Sequence, residues 1–196
     1  MIYRIEIGLK NGVSDARGKS TMHKAVQSLG LNITNCSIRD VYKINANISD
    51  EEAYTVKKLF SDEVIAESEI GRLPYKSAFD WCVEVSFKPG VTDNLGRTAR
   101  VSLEDILKRK LSWEEQVYTS SQYFIKGSID RIDVEKLSYD LIANRLIQNI
   151  SIYNEKEWHD SDVNLEIPTF NDEIHQKVNE VELPDCNKSL QKISND

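Results

Sequence analysis

Residues 79–100 read FDWCVEVSFKPGVTDNLGRTAR, and residues 1–21, MIYRIEIGLKNGVSDARGKST, repeat the design. At a shift of 78 positions Tyr3, Ile5, Ile7 and Leu9 fall on Trp81, Val83, Val85 and Phe87. Apolar residues at every second position mark a strand with one buried face. Glu6, Lys10, Gly12, Val13, Asp15 and Gly18 then fall on Glu84, Lys88, Gly90, Val91, Asp93 and Gly96. Beyond the second glycine the spacing changes to three and four, with Met22, Ala25, Val26 and Leu29 answered by Ala99, Leu103, Ile106 and Leu107. That is the stripe of an amphipathic helix. The chain is a tandem repeat of strand, glycine turn and helix.

The register slips by three where KRKLSWEEQ (108–116) enters the second copy. Tyr42, Ile44, Ala46 and Ile48 now match Tyr123, Ile125, Gly127 and Ile129, again alternating. A second helix follows in each copy. Ser49 with Glu52, and Asp130 with Asp133, stand at capping-box spacing. Short strands near 64–70 and 146–152 complete the copies. Each is therefore β-α-β-α-β, over 1–78 and 79–153, with GRLPYKSA (71–78) as the joint. A unit of about 75 residues buries only a modest core, and its sheet leaves open edges that soluble proteins avoid. The expectation is an α+β fold, two repeats packed as a pseudo-two-fold globule with mainly antiparallel sheet.

Two glycines followed by Arg97 and Thr98, or by Lys19 and Ser20, have the outline of a phosphate loop. Such a loop holds four residues between its glycines; here both copies hold five. The reading favoured is a strand-to-helix turn. Gly12 and Gly90 supply the turn, and Asp15 and Asp93 cap the following helix. Arg17, Arg97 and Arg100 are left for a subunit or domain contact. An anion at the helix N-terminus remains the alternative.

Apolar residues form 40% and charged residues 29% of the 196-residue chain, an ordinary globular composition. No apolar run approaches the length of a membrane span, and MIYRIEIGLK lacks the layout of a signal peptide. Cys36, Cys82 and Cys186 show neither disulfide nor zinc spacing, which suits a reducing cytoplasm. Charges nearly balance over residues 1–153, so residues 154–196 carry the whole net charge of −7. No basic face for nucleic acid is implied. Lys108, Arg109 and Lys110 are expected to close a helix, where cations suit its dipole. NEKEWHDSDVNLEIPTFNDE (154–173) reads as an acidic, poorly ordered linker. His159 and His175 are too loosely spaced for a metal site, and His23 has no counterpart in the second copy. No nucleophile stands with a base, and neither paired carboxylates nor a hydrolase motif occurs.

YRIEIGLKNGVSDARG, DVYKINANIS, FDWCVEVSFKPGVTDNLGRTAR and VYTSSQYFI together resemble the PurS-like family. More narrowly, they are similar to the tandem PurS-like region that precedes the synthetase domain in some phosphoribosylformylglycinamidine synthases. The first copy departs from the family's K-P-G, with Asn11 where the second has Pro89. The resemblance extends to VNEVELPDCNKSLQKISND (178–196), where it implies the start of a helix leading to a following domain. The resemblance implies a non-catalytic scaffold that joins synthetase and glutaminase units for ammonia transfer in purine synthesis. It implies no catalytic, cofactor or metal residue in this chain, with ATP and Mg in the synthetase domain. Partner contacts are expected on the loops: Gly12, Asp15, Arg17 and Gly18; Pro89, Gly90, Asp93, Asn94, Gly96, Arg97 and Thr98; Tyr118, Thr119 and Ser120. A second copy of the chain is a further candidate partner; nucleic acid and membrane are not. The competing reading is a regulatory module with a small molecule held between the repeats.

Overall fold

The computed structural model describes residues 1–169. The first copy comprises β1 (Ile2–Leu9), α1 (Ala16–Leu29), β2 (Ile33–Asn45), α2 (Asp50–Phe60) and β3 (Ala66–Ile70). The second comprises β4 (Trp81–Phe87), α3 (Asn94–Leu107), β5 (Gln116–Gly127), α4 (Arg131–Leu137) and β6 (Gln148–Asn154). A π-helical turn, Ser138–Ile142, extends α4, and a short α5 (Glu155–Asp160) follows β6. Both expected capping boxes form, Ser49 with Glu52 and Asp130 with Asp133.

The strands make one six-stranded antiparallel sheet in the order β3-β1-β2-β5-β4-β6. Exchanging the copies leaves that order unchanged, so a pseudo-two-fold axis passes between β2 and β5. Their ladder runs from Ile33 opposite Gly127 to Asn45 opposite Gln116. Joining there converts one open edge of each three-stranded unit into the centre of the sheet.

Helices α1 to α4 contribute to two cores on one face, and each core mixes the copies. Tyr3, Ile5, Ile44, Ala53 and Val56 pack with Ala99 and Leu103 of α3. Val83, Val85, Val134 and Leu137 pack with Ala25 of α1. The first helix of each copy thus completes the core of the other.

The opposite face departs from the expectation in two places. The joint does more than connect: Leu73 is buried, as is Phe79 just beyond it, and Tyr75 stacks on Phe124 with centroids 4.1 Å apart. Nor is the stretch after 153 a loose linker throughout. Asn154 caps α5, and Trp158 is buried against Phe79, Phe124 and Cys82. The physical reason is a third apolar cluster on the face the helices leave open. The chain from α5 onward lies across this face as a strap, which Arg72 holds by donating to the Trp158 and Asp162 carbonyls and the Ser161 hydroxyl. The expected helix start within VNEVELPDCNKSLQKISND lies outside the described residues.

Candidate functional site

The two glycine loops have the same geometry. Gly12 and Gly90 adopt φ of 89° and 80°, a left-handed conformation favouring glycine. Asp15 is the N-cap of α1, and its Oδ1 accepts from the Gly18 amide at 2.7 Å. Its Oδ2 accepts from the Ile38 amide of β2, also at 2.7 Å. Asp93 does the same for α3, accepting from the amides of Gly96 and Thr119 at 2.7 Å each. The Thr119 hydroxyl donates to the same carboxylate. One aspartate thus stitches helix to strand, and its carboxylate takes the amide an anion would need at the helix N-terminus. The second glycine serves packing: a Cβ on Gly18 would lie 2.1 Å from the Cys36 carbonyl oxygen, and one on Gly96 would lie 2.4 Å from that of Val117. Five residues between the glycines bring helix and strand into contact, which a phosphate cradle does not require.

The residues named from sequence separate into distinct places. Asp15, Gly18, Asp93, Gly96 and Thr119 hold the loops together, and Gly18, Gly96, Thr119 and Ser120 are buried. Gly12, Arg17, Gly90, Asn94, Arg97 and Thr98 are exposed. Pro89, Gly90, Asp93, Tyr118, Thr119 and Ser120 meet around one cavity of about 730 Å³; Asn94, Arg97 and Thr98 do not line it. Gly12, Asp15 and Lys19 border a smaller cavity, about 410 Å³, beside the first loop. The loops attach on opposite sides of the middle of the central ladder, because Ile38 pairs with Tyr123 and Thr119 with Tyr42.

Two of the arginines also make contacts within the chain. Arg17 makes two 2.9 Å hydrogen bonds to Asp40 on the surface. Arg100 folds over the insertion, donating to the carbonyls of Leu111, Ser112 and Glu115 and to Glu104. The basic triplet closes α3 as expected, and two of its members are also tied to acids. Arg109 pairs with Glu115 at 2.7 Å and Lys110 with Glu104 at 2.7 Å, while Lys108 takes the left-handed C-cap. Hydrogen bonds from Arg109, and then from the Ser112 amide, hold the Glu115 carboxyl well below the usual range. On this hydrogen-bonded loop Trp113 is 82% exposed.

Sequence reasoning missed a charged seam beneath the joint and strap. Arg4 donates to Glu6 at 2.8 Å and to both oxygens of Glu84 at 3.1 and 2.8 Å, crossing from one copy to the other. Glu84 also accepts from Ser120 and Gln122. Glu6 accepts from the Leu73 amide, and Arg39 stands 3.6 Å away. Burial opposes the charge on Glu84, but Arg4, Lys43 and Ser120 outweigh it and its carboxyl lies below the ordinary value. Burial pulls Lys43 and Arg39 down. The signal available in sequence was the recurrence of a carboxylate, Glu6 and Glu84, at one position of both first strands. Alternation alone assigned that face to solvent.

No family model matches the chain, and no curated protein matches its sequence.

Among the described residues no group of three or more His, Cys, Asp or Glu could hold a metal ion, and His175 and Cys186 lie outside them. No helix there is long and apolar enough to cross a membrane. Cys36 and Cys82 are buried, and burial pushes the Cys36 thiol up to about 12 and Cys82 in the same direction. Neither thiol is a ready nucleophile at neutral pH.

Proposed function

We propose that the chain is a scaffold of the PurS-like kind, part of phosphoribosylformylglycinamidine synthase. In this reading it joins a synthetase that uses ATP and Mg to a glutaminase, in the cytoplasm. The observation that carries the proposal is the strand, five-residue glycine loop and helix occurring twice in register, in the stretches that resemble that family. The rigidity of the loops agrees with it. Aspartate bridges fix each turn to a neighbouring strand, and Arg17, Asn94, Arg97 and Thr98 stand outward beside them. Such a frame presents polar side chains to a protein surface without ordering them on contact, which lowers the entropy lost on binding.

Size-exclusion chromatography with separately produced synthetase and glutaminase subunits tests this. Co-elution of all three is the expected result, and no association overturns the proposal. Reversing charge at Arg17 and Arg97 together weakens the complex while leaving the melting transition in place. Micromolar binding of ATP or glutamine to the chain alone would also count against it.

A further inference from the structure

The pseudo-two-fold axis makes the two loop cavities comparable, and their difference is informative. In the first half Arg39 crosses the open face beneath the joint. Its guanidinium lies 4.7 Å from the Phe124 ring and 4.9 Å from that of Tyr75, and it donates to the carbonyls of Leu73 and Pro74. It also sits over Gly8, where an added Cβ would meet Arg39 Nε at 3.2 Å. The cavity left beside it is about 410 Å³. In the second half the counterpart of Arg39 is Ser120, that of Gly8 is Ser86, and that of Phe124 is Lys43. A small side chain replaces a long one, and the cavity widens to about 730 Å³. Ligand sites commonly span about 300–1,000 Å³.

The lining is specific in its chemistry. Lys43, Ser86, Tyr118, Ser120, Asn149 and Ser151 lie on the open face of four adjacent strands. Pro89 and Gly90 wall one side, and Asn164 to Thr169 the other. Ser120 is engaged by Glu84. The side chains of Ser86, Tyr118, Asn149 and Ser151 make no hydrogen bond to another group among the described residues. The buried seam holds three cations, Arg4, Arg39 and Lys43, against two anions, Glu6 and Glu84. Lys43 is 6% exposed, and its ammonium is the cation at the cavity end of the seam. It donates to the Glu166 carbonyl at 2.8 Å and to Asn164 at 3.2 Å, both neutral, and stands 4.0 Å from Glu84. Glu84 is already held by both arms of Arg4. Of the acids in the lining, Asp93 is committed to its loop, and Glu166, whose charge also favours the Lys43 ammonium, is exposed to solvent. A buried excess cation favours an anion beside it.

We propose that this cavity binds a small polyhydroxylated compound bearing one anionic group, the anion on Lys43 and the hydroxyls on Ser86, Tyr118, Asn149 and Ser151. The site belongs to the second loop alone and does not rest on the scaffold reading. Amide chemical shifts of the full chain, titrated with glucose 6-phosphate, gluconate, glucose and inorganic phosphate, test it. The expected result is saturable shifts at residues 86–91 and 118–120 with glucose 6-phosphate or gluconate, at a Kd of about 1 mM or tighter. Whichever of the two binds identifies phosphate or carboxylate as the anion. Glucose and inorganic phosphate alone bind at least about tenfold more weakly, since each engages half of the site. Lys43→Met removes the anion's partner and Ser86→Leu fills the floor, each lowering affinity at least about tenfold. Should Lys43→Met not fold, Ser86→Leu decides. The proposal is overturned if neither anionic polyol shifts those residues up to about 10 mM, if inorganic phosphate binds as tightly as they do, or if Ser86→Leu folds and binds unchanged.

Discussion

Glycines 12, 18, 90 and 96 look alike in sequence and do different work. Gly12 has open space around the missing side chain, and Gly12 and Gly90 both adopt a positive φ, so alanine at either position meets backbone strain, about 1–2 kcal/mol. At Gly18 and Gly96 alanine drives a methyl into a carbonyl of β2 or β5. Such overpacking costs about 1–3 kcal/mol or more, because helix and strand must separate. Urea unfolding should therefore rank Gly96→Ala as more damaging than Gly90→Ala, and Gly18→Ala than Gly12→Ala; the reverse order would restore a turn-only account. A pH effect belongs to the same scale. Glu84 and Glu115 both have folded pKa values below the ordinary one. Each contributes stability that is complete above the unfolded value, about 4.3, and lost as pH falls through the lower folded value. Unfolding free energy should hold steady down to about pH 5 and drop below about pH 4. Glu115→Gln should flatten part of that drop, measured by urea titration at each pH.

At the scale of elements, α5 is the segment whose role changed most. Its six residues are too few to be a stable helix alone. It forms because Asn154 caps it and Trp158 meets Phe79 and Phe124 edge-on, at 5.5 Å from each. Arg72 then lies over the indole at 4.6 Å while bonding the chain beyond it. Trp158→Ala should cost about 3–5 kcal/mol by denaturant unfolding, more than any substitution in a loose linker would. Trp113, a similar side chain on the inserted loop, is exposed; Trp113→Ala should fall within about 0.5 kcal/mol of the parent. The contrast separates the packed tryptophan from the one available to a partner.

For the whole molecule the governing fact is that neither copy owns its core. Ala99 and Leu103 of α3 pack into the core of the first copy, Ala25 of α1 into that of the second, and Arg4 with Glu84 ties the copies across the axis. Cutting the chain at residue 78 should leave two fragments with no cooperative thermal transition alone, monitored by circular dichroism, and a restored transition on mixing. Independent melting of either half would contradict the shared cores. The duplication was legible in the sequence because strands and helices impose periods of two and between three and four, and both copies keep them in register. Capping residues were legible too: a cap acts over three residues, so Asp15, Ser49, Asp93 and Asp130 announce their helices locally. The charged seam, the apolar cluster around Trp158 and the cavity beside Lys43 were not. Each is assembled from residues far apart in the chain, and alternation records only that one side of a strand is polar, never what later folds across it. Sequence by itself determined the repeat, its elements and the sites of its turns, all of which depend on short-range geometry. Tertiary structure alone decided which polar face is buried and which loop is left hollow, because burial depends on what the rest of the chain covers.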